Sequence, residues 1–329
     1  MPNNYELSPA VTESIAGVSA GVASTLVVHP LDIIKTRLQV NRTSTSSRLG
    51  SAFQIARSVF LNEGYLLAFY RGLVPSLVGN TVAWGFFFFS YGECKTLISN
   101  YNLRHANNNH GEDVEERNSS RTSALSAPQY FLASACAGGI TTVLTNPIWV
   151  LKTRMLSTGA LAPGAYHSMW DGGKQLYRAE GVRGFYRGLT PSLIGNSHGA
   201  FQFMAYERLK EWRARSRVHL THASDGKALT SVEVSQILTN TDTLLISAVS
   251  KIFASSITYP YQVVRARLQI YDASTLYKGS LDVLGQVWRI EGMRGFYKGL
   301  GPSLVRVLPS TWVTFLVYEN VREFLGRRA

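Results

Sequence analysis

A chain of 329 residues that is 45 % apolar and only 16 % charged is apolar-rich for a soluble protein. Its mean hydropathy is nonetheless near zero, as for membrane helices that each keep one polar face. The net charge of +12 suits nucleic acid, anionic lipid or an anionic small molecule, and two cysteines in unlike settings, Cys94 and Cys136, argue against a disulfide framework or a zinc site.

The N-terminus, MPNNYELSPAV, has no basic leader and no Arg-rich amphipathic stretch, so no cleavable presequence is expected. Ser14–Val28 (SIAGVSAGVASTLVV) carries no charge and holds a GxxxG pair, Gly17 and Gly21, expected to pack closely. It runs into PLDIIKTRLQV, where Pro30 is followed by Asp32 and Lys35. SAFQIARSVF is a short amphipathic candidate. EGYLLAFYRGLVPSL (Glu63 to Leu77) then leads into the apolar run Leu73–Tyr91, and a polar linker is expected over 100–127. Ala127–Leu151 enters NPIWVLKTRML around Pro147, followed by SMWDGGKQLYRAE, EGVRGFYRGLTPSL (Glu180 to Leu193) and Gly188–Tyr206. A second polar linker is expected over 214–240. Thr243–Val264 enters YPYQVVRARLQ around Pro260, followed by SLDVLGQVWRIE, EGMRGFYKGLGPSL (Glu291 to Leu304) and Gly299–Tyr318.

The same two-part pattern therefore occurs three times. Pro30, Pro147 and Pro260 are 117 and 113 residues apart, a period that marks internal repeats. The repeats are placed at 12–99, 128–213 and 241–326. Each holds two runs near the roughly 20 residues that a membrane-spanning helix needs. Six spans put both termini on one side, and the polar content of the runs fits helices that line a water-filled cavity. The first repeat has one extra residue between its Glu-Gly and its Tyr-Arg-Gly.

The proline boxes align Asp32/Lys35, Trp149/Lys152 and Gln262/Arg265. Residues three apart share a helix face, and proline kinks the helix by removing a donor and crowding the preceding turn. Three kinked helices about a pseudo-threefold axis would converge there, so that the acid of one meets the base of the next. Such a ring is a reversible gate of modest strength, because desolvation cancels much of the attraction.

The pattern P-x-[DE]-x-x-[KR]-x-[KR], followed by [DE]-G and an aromatic-[KR]-G in three copies, resembles the mitochondrial carrier family over nearly the whole chain outside the tail and linkers. The resemblance implies an all-α membrane protein of six tilted helices in three repeats, with short amphipathic helices on the matrix side. It further implies alternating access to a central site, the inner mitochondrial membrane, and both termini toward the intermembrane space. By that likeness, Asp32 is expected to pair with Arg265, leaving Lys35 and Lys152 without carboxylates. Gln39 and Gln269 take the places of bracing glutamines, and Leu156 the third. At the other end, [FY]-[DE]-x-x-[KR] is matched by Tyr206-Glu207…Lys210 and Tyr318-Glu319…Arg322. Tyr91-Gly92…Lys95 lacks its acid. The expected bridges are Glu207–Arg322 and Glu319–Lys95, and both gates are expected to open easily.

The family's contact points fall at Gly79, Gly195 and Arg306, with Asn80, Trp84, Asn196, His198 and Gln202 as neighbours. Close helix packing is the alternative role for Gly79 and Gly195. Arg306 and Lys251 lie deep in their spans with no acid evident in those spans. A guanidinium at that depth is costly unless it faces water or an anion, and it matches phosphate or carboxylate by a bidentate fork. Within the family, GNSHGAFQFMAYE, SKIFASSITYPYQVVRARLQ and the Trp of NPIWVLKTR resemble the folate/FAD-transporting branch. FAD or folate is thus expected as a transported substrate, with no cofactor. Carriers of NAD or pyrimidine nucleotides, which share the tryptophan, are the alternative. A non-transporting receptor or scaffold on the same fold is the reading from another class. Enzyme chemistry is not expected, because no metal spacing, nucleophile-base pair or GxGxxG motif is present. The basic residues cluster at span ends, where they meet lipid phosphates, cardiolipin foremost, rather than nucleic acid. A monomer is expected.

Overall fold

The computed structural model describes residues 9–42, 48–109, 125–159, 162, 164–221 and 239–326. The described elements are helical. In the first repeat they are α1 (Pro9–Val40), α2 (Arg48–Asn62), a 3-10 turn (Tyr65–Tyr70) and α3 (Leu73–Asn109). In the second they are α4 (Ala127–Ser157), α5 (Met169–Phe185), α6 (Leu189–Gly195) and α7 (Ser197–Thr221). In the third they are α8 (Asn240–Leu268), α9 (Ala273–Leu276), α10 (Ser280–Glu291), a 3-10 turn (Met293–Tyr297), α11 (Leu300–Val305) and α12 (Val307–Gly326).

The long helices pair between repeats rather than within them. α3 packs along α4, α7 along α8, and α12 returns to α1, so the chain closes into a ring. Small residues permit the approach: Ser24 Oγ on α1 lies 2.9 Å from Ser310 Oγ on α12. Four stretches are long and apolar enough to cross a membrane: Thr12–Val40, Tyr65–Asn102, Pro128–Ser157 and Met293–Leu325. The remaining two places in the ring are filled by α6–α7 and α8, whose hydropathy is lowered by residues such as Asn196, His198 and Lys251.

Each proline box stays within one helix, with Pro30, Pro147 and Pro260 inside α1, α4 and α8. Beyond each box, the last basic residue is tied to the acid of the Glu-Gly signature of its own repeat. Arg37 Nη2 donates to Glu63 at 2.7 Å, Arg154 Nη2 to Glu180 at 2.6 Å and Arg267 Nη1 to Glu291 at 2.5 Å. These charge-assisted bonds anchor the short helices α2, α5 and α10, which bury Val59, Leu176, Val283 and Val287 beneath them. Both partners of each bridge stand in the repeated motifs, 24 to 26 residues apart in the chain. The extra residue of the first repeat lengthens its 3-10 turn to six residues. It also puts Tyr65 at φ +56°, the one positive φ outside glycine among the described residues.

Two expectations need correction. Gly17 and Gly21 are not a packing pair, because a Cβ on either would meet nothing within 4 Å. Helix also runs into the stretches expected as linkers, α3 as far as Asn109 and α7 as far as Thr221. The remainder of those linkers, 110–124 and 222–238, lies outside the described residues, as do the first eight residues.

Candidate functional site: a cavity above a mixed aromatic and ionic ring

The even-numbered spans begin with a glycine that fits against the next repeat. Gly72, Gly188 and Gly299 have φ of +73°, +72° and +85°, a region that L side chains rarely occupy. A Cβ on Gly299 would also lie 2.9 Å from the Lys35 carbonyl. Gly188 meets Gln269 and Gly72 meets Leu156 in the same manner. The loops before these glycines therefore lock onto the ends of α1, α8 and α4.

Higher in the bundle, Gly79 leaves room for Ile148 and Trp149, and Gly195 for the Tyr261 ring, which a Cβ would approach to 2.5 Å. Both glycines serve close packing, and what they admit are aromatic residues of the neighbouring proline box. At the third corresponding position stands Arg306, at the break between α11 and α12. Pro309 cannot donate a backbone hydrogen bond to the Val305 carbonyl, which accounts for the break. The side chain of Arg306 crosses to Asp32 on α1 and forms an ion pair.

This pairing overturns two expectations. Asp32 does not meet Arg265, and Arg306 does have a carboxylate. The polar contacts around the ring run in the opposite sense from that expected. Lys35 Nζ donates to Gln262 Oε1 at 3.1 Å. Arg265 lies over the Trp149 ring, 5.7 Å from its centroid, and Lys152 Nζ lies 4.9 Å from the same centroid. An indole offers a negative face to cations, so Trp149 holds two of them where a carboxylate would hold one. Arg265 is thus retained on the indole, and Asp32 is left to Arg306. Trp149 Nε1 donates to Thr145 Oγ1 at 3.2 Å, which fixes the plane of the ring. Gln39 donates to Tyr259 Oη at 3.1 Å, while Gln269 accepts from Thr153 at 2.9 Å, so both glutamines cross-link neighbouring repeats.

A cavity of about 1050 Å³ lies above this ring. Its floor is Trp149, Tyr261 and Arg265; its wall includes Asn80, Trp84 and Phe87 of α3, with Asn196 opposite. Trp84 is braced by Phe88, whose ring stacks at a centroid distance of 5.6 Å, and Asn196 accepts from Thr142 at 3.2 Å. Of the expected contact residues, Asn80, Trp84, Gly195 and Asn196 line this cavity. Gly79 lies behind Trp149, and His198 is bonded to Thr258 at 2.9 Å. Gln202 is partly buried on α7. Lys251 sits on α8 within electrostatic reach of Arg306. Arg265, assigned to the gate from sequence alone, is the cation that faces the cavity.

Among the described residues, no ion pair joins the opposite end of the bundle across its axis. Arg322 pairs sideways with Glu13 at 3.1 Å, and Glu13 also accepts from the Tyr318 hydroxyl. Lys95 lies over the rings of Tyr91 and Tyr130, and Arg213 is bonded to Asp242 at 3.0 Å. The expected Glu207–Arg322 and Glu319–Lys95 bridges are absent among the described residues. Lys95, Arg213 and Arg322 are engaged instead by their own helix or by the first turns of the repeat packed beside them. Tyr206, Glu207 and Lys210 are partly exposed and Glu319 is exposed.

The threefold recurrence of the box, the acid-glycine bridge and the locked glycine has a match in known proteins. The family model described as mitochondrial carrier protein fits residues 7–102, 123–217 and 237–329. The chain belongs to the mitochondrial carrier family. Among curated relatives, it is 35 % identical to the mitochondrial FAD carrier protein FLX1 of Saccharomyces cerevisiae, over 98 % of this chain and 99 % of the relative. It is 36 % identical to folate transporter 1, chloroplastic, of Arabidopsis thaliana, over 94 % of each chain. It is 35 % identical to nicotinamide adenine dinucleotide transporter 2, mitochondrial, of the same plant, over 94 % of this chain and 78 % of the relative. The carrier's fold and membership identify it as a transporter rather than an enzyme.

Proposed function

We propose that this carrier moves FAD across the inner mitochondrial membrane by alternating access, with both termini toward the intermembrane space. The observation that carries the reading is the floor of the large cavity, where Arg265 lies over the Trp149 ring and shares the lining with Tyr261 and Trp84. FAD carries two flat ring systems joined by a diphosphate. The guanidinium suits the diphosphate, the tryptophan faces suit the rings, and Asn80 and Asn196 supply polar partners between them. The near full-length similarity to an FAD carrier supports the same choice over folate and NAD, the other substrates named among the relatives.

Transport follows from the two ends. With the outer cations parked sideways, the cavity is accessible from the terminal side, and the ring of Asp32–Arg306, Lys35–Gln262 and the Trp149 cation pair closes the other. A phosphate that draws Arg265 off the indole weakens that closure as the substrate binds, so binding energy is coupled to opening. The test is uptake of radiolabelled FAD, NAD and folates into proteoliposomes containing the purified protein. Saturable FAD uptake above the other two is expected. Uptake of NAD or folate alone would overturn the choice of substrate.

A further inference from the structure

Beneath the floor of the large cavity lies a second, smaller chamber of about 260 Å³. Trp149, Tyr261 and Arg265 line both spaces and so form the partition between them. The inner chamber is walled by Lys35, Lys152 and Arg265 together with the amides of Gln39, Gln262 and Gln269, and no described carboxylate lines it. Asp32, the nearest acid, is buried and turned to Arg306. Lys152 makes no hydrogen bond to any described residue; it lies over the Trp149 ring and within electrostatic reach of Asp32. Lys35 has a single neutral acceptor, Gln262. Three cations that converge on one small space, and that share the single nearby acid Asp32 with Arg306, are costly in a low-dielectric setting. The amides of Gln39 and Gln269 are bonded to Tyr259 and Arg187, and the Thr153 hydroxyl to Gln269, so the cations are the donors that a multivalent oxyanion would meet.

We infer that this inner chamber is an oxyanion site that takes a phosphate group between Lys35, Lys152 and Arg265. Arg265 serves both compartments: an anion approaching from the large cavity meets it first, and its swing past Trp149 delivers the anion to the two lysines. The phosphate belongs either to the transported molecule or to free inorganic phosphate, and the chamber's chemistry is the same for both.

The binding test needs no organic substrate and is independent of the FAD reading. The full-length carrier in lipid nanodiscs is titrated with inorganic phosphate, with chloride at matched ionic strength as reference, and the thermal unfolding midpoint is followed. A saturable rise beyond that given by chloride is expected. Lys152→Gln should weaken the apparent phosphate affinity by about tenfold or more, as for loss of a charge-assisted contact. Lys152→Arg should retain it, and so should a change at the exposed Arg208, outside the chamber. Absence of a phosphate effect in the wild type, or an unchanged titration in a folded Lys152→Gln, would overturn the site. A second arm assigns the source and rests on the proposed substrate. Competitive inhibition of FAD uptake by phosphate assigns the chamber to the substrate's own diphosphate, and non-competitive inhibition assigns it to a free ion. Loss of phosphate binding with FAD uptake intact refutes the chamber alone; phosphate binding without FAD uptake refutes the substrate alone.

Discussion

Asp32 and Arg306 lie 274 residues apart in the chain and form an ion pair at the level of the proline boxes. Asp32 is nearly enclosed, whereas Arg306 retains 38 % of its side-chain exposure. The pair fastens the first repeat to the third at the height where the other two interfaces are filled by Trp149 against Gly79 and Tyr261 against Gly195.

Removing either charge leaves the other stranded. Asp32→Asn and Arg306→Gln should each lower the thermal midpoint and slow uptake, while the double variant should lose less than the sum. A coupling of roughly 0.5–3 kcal/mol is expected for residues in direct contact. Strict additivity in the double-mutant cycle would show that the ion pair contributes nothing.

Trp149→Asp would exchange two cation–π contacts for a carboxylate facing Arg265. The gate should tighten by about 1 kcal/mol, the worth of a partly hydrated pair, and turnover should fall if opening limits it. Side-specific cysteine labelling, together with initial uptake rates, measures both effects. Equal labelling and equal rates would remove Trp149 from the gate.

Glu13 holds Arg322 and Tyr318 sideways. Glu13→Gln should release Arg322 toward Glu207 and favour closure of the outer end. Labelling of a cysteine placed in the large cavity should then slow from the side on which the chain termini lie. If accessibility is the same with and without the acid, the parking contact has no influence on the conformational equilibrium.

Gly195→Ala forces a methyl into the Tyr261 ring and should destabilise by about 1–3 kcal/mol, as overpacking does. Gly17→Ala meets open space and should be neutral or stabilise the helix slightly, by up to about 1 kcal/mol. Thermal midpoints of the two variants in one detergent decide the matter, and a reversed order would refute the packing at Gly195.

Outside the spans, burial pushes the Glu291 carboxyl up, but hydrogen bonds from Arg267 and Lys298, with their charges, hold it below the usual glutamate value. Because its pKa is lowered on folding, its contribution is complete above the unfolded value of about 4.3. That contribution disappears as pH falls through the lower folded value. Glu291→Gln should therefore be less stable than wild type at neutral pH and show a shallower loss on acidification. Parallel thermal midpoints from pH 7 down to pH 3 would contradict this.

The sequence by itself determined the repeats, the helical class and the family, because proline boxes, acid-glycine turns and apolar runs are local signals spaced along the chain. It also marked Asn80, Trp84, Gly195 and Asn196 as neighbours of one site, since counting along equivalent helices preserves height in the bundle. Only the tertiary structure decided the partners. Whether Lys35 meets Gln262 or an acid on another helix depends on the sense in which three tilted helices wind about their axis, and a linear pattern carries no such handedness. Arg265 illustrates the limit: its spacing from Pro260 placed it in a gate ring, but packing turned it onto Trp149 and made it the cation of the cavity floor. Arg306 shows the converse. Its depth in an apolar run suggested a bare charge, and the fold brought Asp32 to it from the far end of the chain; the enclosed carboxylate of Asp32 would be costly without that counter-charge.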